Sequence, residues 1–358
     1  MKKLFILAAA IVAFASCSKP VEPQTVVARE IQFASTPQTR ATEAPVVDEN
    51  VLIANGFAVW GFVGTTEIFN KSEVAHNGKT TALDGMNLTT SKIDGAFSPV
   101  NAADVKYWSA GQTYMFSAMA PKEMKDLYTY KWNGTTNTQT ITNFENDGLT
   151  DLIVAEPAKF IVEKEQNQAV NLHFNHMLSR IRFSFTNQFV DDNVTIEISN
   201  LKIDNTPISG TANIVYTPAE GSKPKSNLVT WEHTADKELN FYDATETEAT
   251  TLVSVKSASE TNTNIVGYSV YRYIIPGVND YKISFDLTVK ADNQIIATNT
   301  YEGKALPTTD VKSFEAGKGY VFNANINIDQ AGQLYPIQWT VSVEKWGDDV
   351  PGGDITLN

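Results

Sequence analysis

Cysteine, histidine and charge are all scarce in this sequence of 358 residues. Its one cysteine, Cys17, has no second thiol with which to form a disulfide inside the chain, so the fold cannot depend on a disulfide framework. Charged residues make up 19% of the chain, below the roughly one quarter that is usual, and the formal net charge is −13. Because binding to nucleic acid requires clustered lysine and arginine, we expect no nucleic-acid partner.

Common catalytic and metal-binding motifs are also missing. The sequence contains no Gly-x-Ser-x-Gly, no phosphate-binding loop and no His-Glu-x-x-His. His173 and His176 have a spacing that can bind metal on a helix, but the alternation around them indicates a strand, which places the two rings on opposite faces. The acidic pairs at residues 191–192 and 348–349 lack the spacing of a calcium loop and indicate solvated turns. We therefore predict a non-enzymatic protein with no catalytic residue, no metal site and no cofactor.

The first residues have the features of a secretion signal. Lys2 and Lys3 precede an unbroken apolar run of 11 residues, 4–14, which is too short to cross a bilayer. The run ends in Phe-Ala-Ser-Cys, which resembles a bacterial lipobox. We predict a lipoprotein signal over residues 1–16 and lipid attachment at Cys17. The alternative is an ordinary signal peptidase site, with Cys17 incidental.

Most of the remaining chain has the pattern of β-strands. Apolar residues occupy every odd position from Tyr281 to Val289, and shorter alternating runs occur at residues 194–198 and 337–343. The stretch from Ile53 to Val63 is largely apolar and aromatic, with Gly56 and Gly61 interrupting it, and predicts a buried strand with a bend or bulge. At most one helical turn is expected, at residues 121–128. We predict an all-β fold of two domains, residues 41–167 and 168–358, divided at the charged, non-alternating stretch 163–168.

Residues 17–40 form a leader between the signal and the first domain. Within it Ile31-Gln32-Phe33-Ala34 has the alternation of a short strand. Residues 35–44 have no apolar anchor and include Arg40 and Ala41, so we expect an exposed loop in which proteases cut. Cleavage after Arg29 is an alternative, but it would leave the strand of Ile31 and Phe33 in place.

Several short segments, taken together, follow one another along the chain in a characteristic order. They are Cys17, Ile31-Gln32-Phe33 followed by Thr39-Arg40-Ala41, residues 151–155 (Asp-Leu-Ile-Val-Ala), residues 176–183, residues 274–277 (Ile-Ile-Pro-Gly), residues 316–320 (Ala-Gly-Lys-Gly-Tyr), and a close at Trp339 and Lys345-Trp346-Gly347. In these segments and their spacing the chain resembles the fimbrillin-like proteins, which are subunits of type V fimbriae.

The resemblance implies two tandem β-sandwich domains of the transthyretin type. It also implies export as a lipoprotein to the outer membrane and cell surface, and cleavage in the leader by an Arg-specific protease. Subunits of this family polymerise with other fimbrial subunits by strand exchange. Cutting after Arg40 would remove the lipid and the strand of Ile31 and Phe33 together, leaving an apolar groove that a strand of another subunit can fill.

The donating strand and the receptor stay open at the level of sequence. The candidate donor strand contains Ile337, Trp339, Val341 and Val343. The alternatives are a tip subunit that accepts without donating, and a base anchor that keeps its lipid. A monomeric surface lipoprotein that binds a glycan or a host protein is the other functional class. Aromatic residues that could form a carbohydrate platform, but more often belong to a core, are Trp60, Tyr107, Trp108, Tyr128, Tyr130 and Trp132.

Overall fold

The computed structural model describes residues 29–35, 49–77, 95–163, 168–189, 193–217, 226–241, 253–256, 266–277, 280–306, 314–326 and 337–345. Over these residues the chain is almost entirely β-strand, which confirms the predicted all-β class. The described helical segments are α1 (Glu49–Asn55) and two 3₁₀ turns, Ala102–Asp104 and Lys122–Leu127. No helix in the described part of the chain is long and apolar enough to cross a membrane.

The strands follow one another through both halves of the chain. The first eleven are β1 (Phe33–Ser35), β2 (Phe57–Val63), β3 (Thr66–His76), β4 (Phe97–Pro99), β5 (Gln112–Ala120), β6 (Tyr128–Trp132), β7 (Asn137–Glu145), β8 (Ile153–Ala155), β9 (Ala158–Val162), β10 (Val170–Leu172) and β11 (Phe174–His176). The others are β12 (Ser179–Asn187), β13 (Val194–Thr217), β14 (Ser226–Asn240), β15 (Val253–Lys256), β16 (Val266–Tyr268), β17 (Arg272–Ile274), β18 (Lys282–Ala291), β19 (Gln294–Ala305), β20 (Lys318–Ile326) and β21 (Gln338–Lys345).

The first sheet curls around its own core. Its order is β10-β1-β4-β3-β2-β5-β8-β11, with β9 also paired to β5. The strands at its two ends, β10 and β11, are separated in sequence by His173 alone, so the sheet nearly closes on itself. Phe57 on β2 accordingly contacts Phe174 on β11, with 5.2 Å between the ring centroids. The core inside this curl is the one that holds Ile31 and Phe33.

Strand β2 is buried on both faces, which explains its continuous apolar sequence. Phe57 and Val59 point into the core of the curled sheet, while Ala58 and Trp60 point into a second core on the opposite face. Gly61 lies at a shift in the β2–β3 register, and a larger residue does not fit there, because a Cβ would lie 2.8 Å from the Phe69 and Phe116 rings. The predicted bulge is confirmed. The predicted start at Ile53 is wrong, because residues 49–55 form α1.

Two further sheets enclose the core of the C-terminal half. One has the order β16-β12-β20-β21 with β17 on β12, and the other has the order β19-β18-β13-β7-β6 with β14 and β15 on β13. Phe183 and Phe185 of β12 face Ile198 of β13 and Phe285 of β18 across this core. Both alternating runs predicted for these strands, 194–198 and 281–289, are found in β13 and β18.

Strand β13 runs through both halves of the molecule. Its first part pairs with β18, and its last part pairs with β7 and packs Ala212 and Ile214 beside Trp60 and Tyr128. Pairing therefore crosses the division expected between residues 167 and 168: β10 and β11 pair with β1 and β8, and β7 pairs with β13. The two-domain, transthyretin-like organisation stays a prediction.

A turn after β7 ties the two halves together. Asn146 donates from Nδ2 to the carbonyl of Tyr273 at 2.9 Å, and the Tyr273 amide donates to the carbonyl of Gly148 at 2.9 Å. Burial raises the pKa of Asp147 in this turn, but hydrogen bonds from the Thr150 hydroxyl and from nearby backbone amides outweigh burial. The pKa of Asp147 consequently lies below its ordinary value of 3.8.

Candidate functional site: the leader strand and its groove

The strand predicted at residues 31–34 lies in the first sheet as β1, Phe33–Ser35, with Ile31 and Gln32 directly before it. Strand β1 lies between β10, to which it is parallel, and β4, to which it is antiparallel. Phe33 is opposite Val170 on one side and Phe97 on the other. Because β1 has a partner on each side, its removal would leave two strands with unpaired backbone groups facing an open slot.

Ile31 and Phe33 fill the core of the curled sheet. Both side chains are fully buried, with no solvent-accessible surface. The Phe33 ring packs edge-on against Phe69 and Phe116, with centroid distances of 5.6 and 5.5 Å. The alternation of the sequence therefore does place both residues on the core face, and their removal would open an apolar groove in the middle of the sheet.

Gln32 is the functional residue that the sequence did not reveal. It is as deeply buried as its neighbours, and its Nε2 donates to Oγ of Ser98 at 2.6 Å. Asn77 donates to the same Ser98 oxygen at 3.0 Å. A buried amide is costly to leave unpaired, so the groove contains a polar position, directly before β1, that favours a side chain able to form this bond.

The backbone just before β1 is also held in place. The Trp108 amide donates to the carbonyl of Arg29 at 3.0 Å, and the Ile31 amide donates to the carbonyl of Lys106 at 2.8 Å. Glu30, between Arg29 and Ile31, is buried, and its backbone forms an isolated antiparallel β-bridge with Tyr107. A protease binds its substrate in an extended, accessible form, so the Arg29–Glu30 bond is poorly available in this structure.

The other arginines of known position are held in paired strands. The chain has five arginines in all. Arg180 and Arg182 lie on β12. Arg180 is paired with β17 on one side and β20 on the other, and Arg182 is paired with β20. Arg272 lies on β17 opposite Ile181. Arg40, Ala41 and the lipidation candidate Cys17 lie outside the described residues.

The candidate donor segment lies at the edge of a sheet. Strand β21 pairs antiparallel with β20 along its whole length and has no second partner among the described strands. Ile337 is half-buried and packs against the C-terminal core. Trp339, Val341 and Val343 lie opposite Ala324, Phe322 and Tyr320. An edge strand can leave its sheet without breaking a second ladder, which is the property that a donor strand needs.

The two histidines of the His-x-x-His spacing lie at the end of the first sheet. His176 lies on β11 with its Nδ1 2.6 Å from Oδ2 of Asp151, and His173 lies in the link between β10 and β11. Among the described residues no group of three or more histidine, cysteine, aspartate or glutamate side chains is arranged to hold a metal ion.

The six aromatic residues considered for a carbohydrate platform form two separate groups in the structure. Trp108 packs edge-on against Tyr114 at 4.8 Å beside the curled core, and Tyr107 next to it is half exposed. Trp60, Tyr128, Tyr130 and Trp132 lie together on the other face of the first sheet. Of this second group only Trp132 is partly exposed, so most of the cluster belongs to a core.

Comparison with known families decides the identity. A family model described as fimbrillin-like matches residues 39–346, which is most of the chain. The chain belongs to the fimbrillin-like family. Membership supports a subunit of a fimbrial or adhesive structure at the cell surface. A comparison with curated protein sequences gives no match.

Several solved structures resemble this fimbrillin-like chain at low sequence identity. A candidate cell adhesion protein from Bacteroides uniformis is 15% identical, with a TM-score of 0.43, and the match covers 88% of this chain and 98% of that one. A candidate cell adhesion protein from Bacteroides ovatus is 14% identical, with a TM-score of 0.40 and coverage of 89% and 98%. The fimbrial anchor protein Mfa2 from Porphyromonas gingivalis is 10% identical, with a TM-score of 0.30 and coverage of 89% and 99%.

Proposed function

We propose that this fimbrillin-like protein is a structural, non-enzymatic fimbrial subunit that is activated by removal of its leader strand. The observation that carries the proposal is the position of β1. A segment that precedes the family-matched region at residue 39 supplies two fully buried side chains to the centre of a sheet. Such a strand completes the precursor and closes a groove that would otherwise be free to accept another strand.

Export and processing follow from the same arrangement. Lipid on Cys17 delivers the precursor to the outer membrane, and an Arg-specific protease cuts between Arg40 and Ala41. The cut detaches the lipid and the strand of Ile31 and Phe33 in one step. Cleavage at Arg29 is disfavoured by the hydrogen bonds on either side of that bond, and it would not free the groove.

The incoming strand is supplied by a second copy of this chain. Residues 337–339 are Ile-Gln-Trp, which repeats the order apolar, glutamine, aromatic of Ile31-Gln32-Phe33. In the same register Ile337 takes the place of Ile31, Gln338 reaches Ser98, and Trp339 enters the pocket of Phe33. Strand β21 can supply this segment because it lies at a sheet edge.

Trimming of the purified chain tests the proposal. Treatment with an Arg-specific protease is expected to give a mature N-terminus at Ala41 and detergent-resistant oligomers, as measured by N-terminal sequencing and size-exclusion chromatography with light scattering. An Arg40→Gln variant is the control and is expected to stay monomeric. A mature chain that begins at Cys17 on cells contradicts the processing step. A trimmed chain that stays monomeric contradicts polymerisation and favours a monomeric surface lipoprotein.

The donor segment is tested separately. A chain truncated after residue 336 is expected to be trimmed normally but not to polymerise. Its polymerisation would show that another segment is donated. A Gln338→Leu variant of the full chain is expected to polymerise more slowly than the parent, because it cannot bond Ser98 in the groove.

A further inference from the structure

A cleft opens in the N-terminal half, away from the leader strand. It has a volume of about 580 Å³ and lies between the β2–β3 and β6–β7 hairpins. The hairpin tips meet at one end, where a Cβ on Gly134 would lie 3.3 Å from Cγ2 of Thr65. This volume is within the range of clefts that hold small ligands. None of its lining residues belongs to β1, so the cleft does not depend on whether the leader has been removed.

The cleft has an aromatic floor and a polar rim. Phe62 and Tyr130 are buried in the floor, edge-on to one another at 5.8 Å, and the half-exposed Trp132 lies on the wall. The rim includes the exposed side chains of Glu67 and Lys131. A ligand that fits must therefore present an apolar face to the floor and hydrogen-bonding groups to the rim.

The Tyr130 hydroxyl is the most informative atom in the cleft. Tyr130 is 2% exposed, and its hydroxyl is buried without a hydrogen-bond partner in the described part of the chain. The neighbouring Tyr128, which is equally deep, differs: its hydroxyl is 2.7 Å from Oγ of Ser117 and accepts from Nε2 of Gln139 at 2.7 Å. Buried hydroxyls are normally paired, so an unpaired one on a residue that lines the cleft marks a position where a ligand hydroxyl can supply the missing hydrogen bond.

The charges around the cleft are nearly balanced. Lys71 pairs with Asp126, with 2.8 Å between Nζ and Oδ1. Glu67 and Lys131 carry opposite charges on the rim. Burial raises the pKa of Tyr130, which keeps its hydroxyl protonated and able both to donate and to accept. A site without net charge favours a neutral ligand over an anion or a cation.

We propose that this cleft binds a neutral saccharide. One face of a sugar ring carries C–H groups that pack against Trp132 and the floor, while its hydroxyls bond Tyr130 and the rim. The exposed position of the cleft opening suits recognition of glycan on another surface. The proposal goes beyond strand exchange and is independent of it, because the cleft walls come from the β2–β3 and β6–β7 hairpins alone.

Calorimetric titration of the uncut Arg40→Gln chain with cellobiose, lactose and mannobiose tests the proposal. At least one of these is expected to bind with a Kd in the millimolar range or tighter. Tyr130→Phe removes a single hydroxyl and is expected to weaken that binding about tenfold. The matched control is Tyr281→Phe, which removes a buried hydroxyl that also lacks a described partner but lies in the C-terminal core. This control is expected to bind as the parent does.

A second variant, Trp132→Ala, tests the stacking surface. It is expected to abolish binding while the thermal unfolding temperature stays close to that of the parent, because this side chain is only partly buried. Absence of binding by all three disaccharides up to about 10 mM would overturn the proposal, since weaker affinity is below that of a functional site. Binding that survives unchanged in both Tyr130→Phe and Trp132→Ala would overturn it equally.

Discussion

Cutting the chain after Arg40 should release the leader strand at micromolar protein concentration. In the intact chain the strand is held by its covalent connection and by its contacts in the groove. Burial of Ile31 and Phe33 contributes about 3–6 kcal/mol in all. Three backbone hydrogen bonds, at Arg29, Ile31 and Gln32, join this segment to the rest of the sheet, and they add about 1.5–4.5 kcal/mol if each contributes its usual net amount.

Two costs oppose these contributions once the bond is cut. Association of a separate peptide costs about 4–15 kcal/mol in lost translational and rotational freedom. In addition, Oε1 of Glu30 is buried without a hydrogen-bond partner among the described residues, which costs about 1–3 kcal/mol. At the middle of each range the costs exceed the contributions by a few kcal/mol, so we expect the cut leader to bind with a Kd in the millimolar range or weaker.

This is measured by size-exclusion chromatography of the trimmed chain at about 1 µM. Mass spectrometry of the protein peak then shows whether the leader peptide, residues 17–40, is still bound. The peptide is expected to elute separately from the protein. Co-elution at that concentration would require about 8 kcal/mol of net affinity and would refute the reasoning. A Glu30→Gln variant is expected to hold the peptide more tightly than the parent, because a neutral amide is cheaper to bury than a carboxylate.

Three other substitutions test the structure by denaturant unfolding of the uncut chain. Phe33→Ala is expected to lower the free energy of unfolding by about 3–5 kcal/mol, whereas Ile161→Ala, at a side chain that is 64% exposed, should change it by less than about 0.5 kcal/mol; equal effects would contradict the burial of β1. Gln32→Ala is expected to cost about 1–3 kcal/mol through loss of the bond to Ser98, and a neutral result would show that Ser98 does not need it. Asp147→Ala should destabilise the chain above pH 3.8 and progressively less as the pH falls through the lowered pKa of Asp147, because a depressed pKa gives stability that is lost on protonation; an effect that does not change with pH would contradict the bonds to this carboxylate.

The C-terminal strands could be predicted from sequence because one face of each lies in a core. The alternation from Tyr281 to Val289 reappears as β18, with its apolar residues buried. The length of β13 could not be predicted in the same way. Pro207 lies in the middle of this strand and would ordinarily end it, but the β13–β14 register shifts on either side of Pro207 and absorbs the missing amide.

The core-facing half of the groove was predictable and the polar half was not. Ile31 and Phe33 alternate with a polar residue, which indicates a strand with one apolar face; both are buried, although β1 itself begins at Phe33. The same pattern suggests that Gln32 points to solvent. Its burial depends on Ser98, which lies 66 positions further along the chain, and no local pattern records a partner at that distance. The helix at residues 49–55 was missed for a related reason, since the apolar residues of α1 are followed after only Asn55 and Gly56 by the apolar run of β2.

The long strand β13 has a mechanical consequence for any filament built from this subunit. Its first part belongs to the half that contains β21, and its last part packs on the half that contains the leader groove. Tension between a donated C-terminal segment and an occupied groove would run along the backbone of β13 and load its ladders with β18 and β7 in shear. Many hydrogen bonds in such a ladder must break together, rather than one after another. The subunit would therefore resist being stretched, and its halves would not separate at a hinge.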